Sequence, residues 1–91
     1  MFAAAGLRMV GNARILGADG RHLAFMARQG DAALRVFAPG KADWIEPLRD
    51  RKGDTFSLAF QPQINRYRGQ VNVELRACDL LWTEERQKNE G

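Results

Sequence analysis

One stretch constrains this chain more than any other: residues 61–82, QPQINRYRGQVNVELRACDLLW. An apolar strand runs up to Ile64, breaks at Asn65-Arg66-Tyr67-Arg68-Gly69, and returns as the alternating run Val71, Val73, Leu75, Ala77. Asn65 and Gly69 tolerate the left-handed backbone of a tight reversal, so the pattern predicts a β-hairpin with a charged, aromatic tip. The period of two on the return strand puts one face in a core and leaves Asn72, Glu74 and Arg76 on the other. At the tip, Arg66 and Arg68 flank Tyr67, two cations around a ring, a combination suited to phosphates and an unstacked base.

Taken in order, the rest of the chain supplies partners for that hairpin. Residues 7–16 predict a long first strand, with Gly11 marking a bulge or sharp bend inside it. Gly17-Ala18-Asp19-Gly20 is a turn, and 22–29 follow as a second strand with Leu23, Phe25 and Ala27 on one face. After Gln29-Gly30-Asp31, residues 33–38 form a third strand in which Leu34, Val36 and Ala38 oppose Arg35 and Phe37, with either side free to be the buried one. Phe25 and Phe37 are both expected in the core, because a barrel this small must bury most of its aromatics.

Past Pro39-Gly40 the period changes. Trp44, Ile45 and Leu48 fall at helical spacing, with Asp43 and Glu46 early and Arg49, Arg51 and Lys52 late, as the helix dipole prefers. A short helix shaped by Pro47 is expected, with Trp44 plugging the barrel. Gly53-Asp54 ends it; Phe56, Leu58 and Phe60 alternate in a fourth strand that Pro62 makes an edge. The fold class is therefore all-β: a five-stranded OB-fold-like Greek-key barrel with one short helix between strands 3 and 4. The competing SH3-like barrel carries its helical turn before the last strand instead.

Ninety-one residues make one small domain, read here as a flexible N-terminal segment (1–6), an OB-like domain (7–82) and a polar tail or linker (83–91). The opening Met-Phe-Ala-Ala-Ala-Gly also looks like the start of a domain cut from a longer protein. Net charge is +3, and Glu84, Glu85 and Glu90 crowd the tail, so the body is more positive than the total and permits a polyanionic partner. Cys78 is the single cysteine, which rules out an internal disulfide; it reads as a small buried side chain in a reducing compartment. There is no membrane-length apolar run and no signal peptide, so a cytoplasmic location is expected.

Several points of the sequence resemble the OB domain of RecJ, the single-stranded-DNA-specific exonuclease. They are residues 17–23 with His22-Leu23 opening the second strand, Val36-Phe37 closing the third, the Gly53-Asp54 turn, Asn65-Arg66-Tyr67-Arg68-Gly69 on the last hairpin, and Leu75-Arg76 leading to Asp79-Leu80. Ala24 stands where that family commonly has a lysine. The resemblance implies a parent that is a 5′-3′ exonuclease of DNA repair and recombination, whose catalytic core carries an Asp-His-His motif and divalent metals. That core is absent from these residues. One histidine and no clustered carboxylates provide no metal site, so no cofactor, metal ligand or catalytic residue is expected in this fragment.

What remains is an accessory role, that of holding single-stranded DNA for the nuclease core. The expected contacts are Arg21, His22, Arg35, Arg66, Arg68 and Arg76 toward phosphates and Tyr67 stacking on a base, with little sequence preference. His22 could equally stabilise a turn, and Arg35 and Arg76 could simply pair across strands with acids such as Glu74. The alternative is a protein-interaction module that packs on the catalytic core or recruits a single-strand-binding protein, with Trp82 and Met26 on the docking surface. A free-standing enzyme would need a nucleophile beside a base, which one Cys and one His far apart do not supply.

Overall fold

A computed structural model describes residues 1–83. Five strands, β1 (Phe2–Leu16), β2 (His22–Gln29), β3 (Ala32–Ala38), β4 (Phe56–Tyr67) and β5 (Gln70–Trp82), close into a barrel in the order β1-β2-β3-β5-β4. All neighbours are antiparallel except β3 and β5, which run parallel. A 3-10 turn (Ala42–Trp44) leads into a short helix, α1 (Ile45–Asp50), between β3 and β4. The expected five-strand ring with its inserted helix is thus what the chain forms.

Strand β1 closes the ring because it is long and bent enough to serve two neighbours. Its first part pairs with β4 (Phe2↔Phe60, Ala4↔Leu58) and its later part with β2 (Arg8↔Arg28, Leu16↔His22). Register slips between Ala4 and Leu7, and again between Val10 and Arg14. Gly11 lies in the second slip, as its place in the sequence suggested. Gly6 lies in the first with φ +70°, a backbone state that costs an L-residue about 1–2 kcal/mol and glycine almost nothing. The first six residues, expected to be loose, are therefore strand from Phe2 onward; the alanines that read as an unstructured start pair with β4. The tail of the domain scheme beyond Thr83 lies outside the described residues.

The core contains Leu7, Met9, Leu23, Phe25, Ala27, Val36, Ala38, Leu48, Phe56, Leu58, Leu75 and Ala77. Small alanines on β2, β3 and β5 let the wall close tightly around Phe25 and Phe56, whose rings meet edge to face at 6.1 Å. The helix contributes Leu48, not Trp44, as the fully buried plug. Trp44 lies one turn earlier, half-buried against the core, with Lys41 Nζ 5.6 Å from its ring centre. Pro47 sits in the first turn of α1, where its missing N–H forgoes no helical bond.

Three further expectations change. Phe37 points outward, because Val36 and Ala38 take the inward positions of β3. Cys78 is exposed: Ala59 pairs with Asp79 and Phe60 with Ala77, so Cys78 is the extra residue of a β-bulge. Trp82 is packed into the molecule, its ring edge-on to Phe56 at 5.5 Å and covered by the Arg51 guanidinium at 4.2 Å.

The final hairpin departs most from its sequence reading. The strands continue through the expected five-residue break: Asn65 pairs with Asn72, Arg66 with Val71 and Tyr67 with Gln70. Only Arg68 and Gly69 turn, both left-handed at φ 51° and 78°, which makes a two-residue reversal of type I′ character. Beyond Phe60 on β4 and Glu74 on β5 no other strand among the described residues flanks the pair, and residues 61–73 are exposed on both faces. The hairpin is an arm that leaves the barrel, so Val71 and Val73, expected in the core, stand in solvent. Pro62 falls where β4 has become an edge strand, the position at which proline is tolerated.

Candidate nucleic-acid interface

Alternation along the strands sorts the outward side chains into two rows that cross the sheet. One row runs Arg14, Ala24, Phe37, Arg76, Gln61 and the next Val10, Met26, Arg35, Glu74, Gln63. Phe37 is the centre of the first: the Arg76 guanidinium lies 5.9 Å from its ring and the His22 ring 5.8 Å. Here the face is concave, a cavity of about 370 Å³ lined by Asn12, Arg14, Leu16, Ala24, Phe25, Met26, Arg35, Phe37 and Glu74. That volume lies within the range of small-ligand clefts, about 300–1,000 Å³.

Arg14 and Arg35 line this hollow with one carboxylate, Glu74, and Arg76 lies beside it against the Phe37 ring. Glu74 is in register with Arg35, yet among the described residues the two make no ion pair within 4 Å. The guanidinium groups of Arg14, Arg35 and Arg76 therefore keep their donors for an anion. A flat ring with a cation beside it is the arrangement that stacks a base while holding its phosphate.

The expected residues separate in space. Arg35, Arg76 and His22 belong to this face. The Nδ1 of His22 accepts the Gly40 N–H at 3.0 Å, so of the readings open for it the turn-stabilising one is realised. Arg21, in the turn before β2, pairs with Asp19 at 3.3 Å, an exposed ion pair that partly answers its charge. Arg66, Tyr67 and Arg68 begin five residues farther out along β4 than Gln61, the partner of Arg76, with Tyr67 about 20 Å away at roughly 3.3 Å per residue.

At the tip, one cation among the described residues attends the ring. Arg68 lies 5.1 Å from the centre of Tyr67, which is 68% exposed. Arg66, one residue earlier in the strand, points to the opposite face, among Ile64, Val71 and Val73. The sequence reading missed Arg14 and Phe37. Arg14 was hidden by the register slip at Gly11, which decides its face, and Phe37 by a strand too short to say which side is buried.

No group of three or more His, Cys, Asp or Glu among the described residues could hold a metal ion. Nor is any described helix long and apolar enough to cross a membrane.

A closed five-stranded barrel with a parallel β3–β5 contact, a helix between β3 and β4, and an outward face of cations around an aromatic ring defines the class: this is an OB-fold. The family model described as the RecJ OB domain matches residues 1–79, and the chain belongs to that family. The match includes the first six residues, in keeping with their place in β1. As an OB domain it is a noncatalytic module of a RecJ-like protein. No curated protein and no solved structure matches the chain.

Proposed function

We propose that this OB domain binds single-stranded DNA and positions it for the separate nuclease core of a RecJ-like exonuclease, in cytoplasmic DNA repair and recombination. The observation that carries the reading is the outward-facing, half-buried Phe37 ring set among Arg14, Arg35 and Arg76 on one face. Stacking on Phe37 and neutralisation of phosphates by the three arginines supply affinity without reading sequence. Arg68 and Tyr67 extend the contact to the tip of the arm, and Arg21 and Arg66 lie at its margins. No cofactor is required in this domain; divalent metal belongs to the core.

A salt titration with a fluorescent oligonucleotide tests this. Four engaged phosphates, three on the barrel face and one at Arg68, give a slope of log affinity against log salt of about −3, at roughly −0.7 per phosphate on a single strand. A slope near zero would reject the reading.

One observation favours a second reading, a protein-interaction module that packs on the nuclease core or recruits a single-strand-binding protein. Ile64, Val71 and Val73 are 58%, 57% and 57% exposed on the face of the arm opposite Tyr67. Val73→Asp should then weaken capture of a purified RecJ nuclease core while leaving the oligonucleotide slope unchanged.

A further inference from the structure

The face of the arm that continues the Phe37 surface differs chemically from the barrel. Opposite Arg76 and Glu74 it presents Gln61 and Gln63 on β4, and past them Asn65 on β4 and Gln70 and Asn72 on β5, paired as Gln61↔Arg76, Gln63↔Glu74, Asn65↔Asn72 and Tyr67↔Gln70. All five amides are exposed, and among the described residues none makes a side-chain hydrogen bond. Between Arg76 and the tip, none of the described residues on this face is a cation, because Arg66 is turned to the other one.

We infer that this amide ribbon reads base edges, and that the domain consequently prefers adenine-rich single strands. The inference rests on the single-strand reading above and adds to it a division of labour. The barrel face holds the strand through charge and one stacked base, whereas the arm contributes contacts that depend on which bases are present.

The chemistry follows from the side chains. A carboxamide carries both a donor pair and an acceptor, so it offers nothing specific to a phosphate that an arginine would not offer more strongly. Against a base edge the balance reverses: Asn and Gln match the paired donor and acceptor of adenine, N6 and N7, in bidentate fashion, and single strands expose those edges. Same-face side chains on one strand recur about every 7 Å, a spacing that an extended, unstacked strand can follow base by base. Tyr67 closes the ribbon with a ring on which the last base can stack.

The test uses the full 91-residue chain with oligo-dA and oligo-dT of equal length, titrated over a salt series, beside the variant Gln63→Ala/Asn65→Ala/Asn72→Ala. These three positions are exposed, so an unchanged melting curve verifies that the variant is folded. The expected result is about tenfold tighter binding of oligo-dA, from at least one bidentate contact, with that ratio falling to near one in the variant and the salt slope unaltered. Salt-dependent binding with no preference between the oligonucleotides, or a preference that survives in the variant, overturns the amide ribbon and leaves the single-strand reading standing. Absence of salt-dependent binding to either oligonucleotide overturns both.

Discussion

Strands β4 and β5 are each half barrel and half arm, and the same alternating pattern has opposite consequences in the two halves. In the barrel half, Phe56, Leu58, Leu75 and Ala77 are buried; in the arm half, Ile64, Val71 and Val73, on the continuation of that face, are exposed. The difference lies in the neighbours. Strand β1 flanks β4 only as far as Phe60, and β3 flanks β5 only as far as Glu74, so the inward face loses its opposite wall where those strands end. Burial is a property of the closed ring, and a period of two merely states which side chains would be available for it.

The comparison breaks most readily in the barrel. Phe56 is fully buried against Phe25 and Trp82, so Phe56→Ala should cost about 3–5 kcal/mol. Domains of this size have about 5–13 kcal/mol in total, so chemical denaturation should find the variant mostly or wholly unfolded at moderate urea. A loss under about 1 kcal/mol would mean that the ring is not closed as described.

Next in size is an effect on binding. Phe37→Ala should lower single-strand affinity by about 1–3 kcal/mol, the worth of one stacked base. Because the ring lies outside the core, the same change should cost much less stability than Phe25→Ala, whose ring is buried. Equal destabilisation by the two alanines would return Phe37 to the core and remove the proposed stacking site.

Much of this division was legible in the residues and some of it was not. Element order, the helix between β3 and β4, the bend at Gly11, and the inward set Leu23, Phe25 and Ala27 all followed from local signals, because turns and periodicities are written within a few positions of one another. The length of the arm was not legible, since it depends on where β1 and β3 stop flanking β4 and β5. The exposed Cys78 depends on a bulge that pairing creates and composition does not mark. Arg14 and Phe37 escaped for a related reason: their faces are set by register with neighbouring strands. The N-terminal alanines read as loose because a small, featureless side chain gives no alternation to detect.

Gly6 tests the last of these points. Its Cβ would meet nothing within 4 Å, so Gly6→Ala isolates the backbone cost of φ +70°. If the start of β1 is strand in solution, thermal unfolding should register a loss of about 1–2 kcal/mol. A neutral result would make residues 1–6 the loose segment that the sequence alone suggested.

The smallest effect is expected in the arm, and it is the sharpest test of the comparison. Ile64 and Val73 face each other across β4 and β5 with solvent over them, so Ile64→Thr or Val73→Thr removes apolar surface that is already largely hydrated and keeps the β-branched shape that suits a strand. Each should change stability by no more than about 0.5 kcal/mol, as for ordinary surface positions. The same Val→Thr exchange at Val36, buried in β3, puts a hydroxyl into the core and should cost about 1–3 kcal/mol. A loss of that size at Val73 as well would mean that the arm's apolar face is covered in the isolated chain. Concentration-dependent melting would then assign the cover to a second copy, and concentration-independent melting to the chain itself.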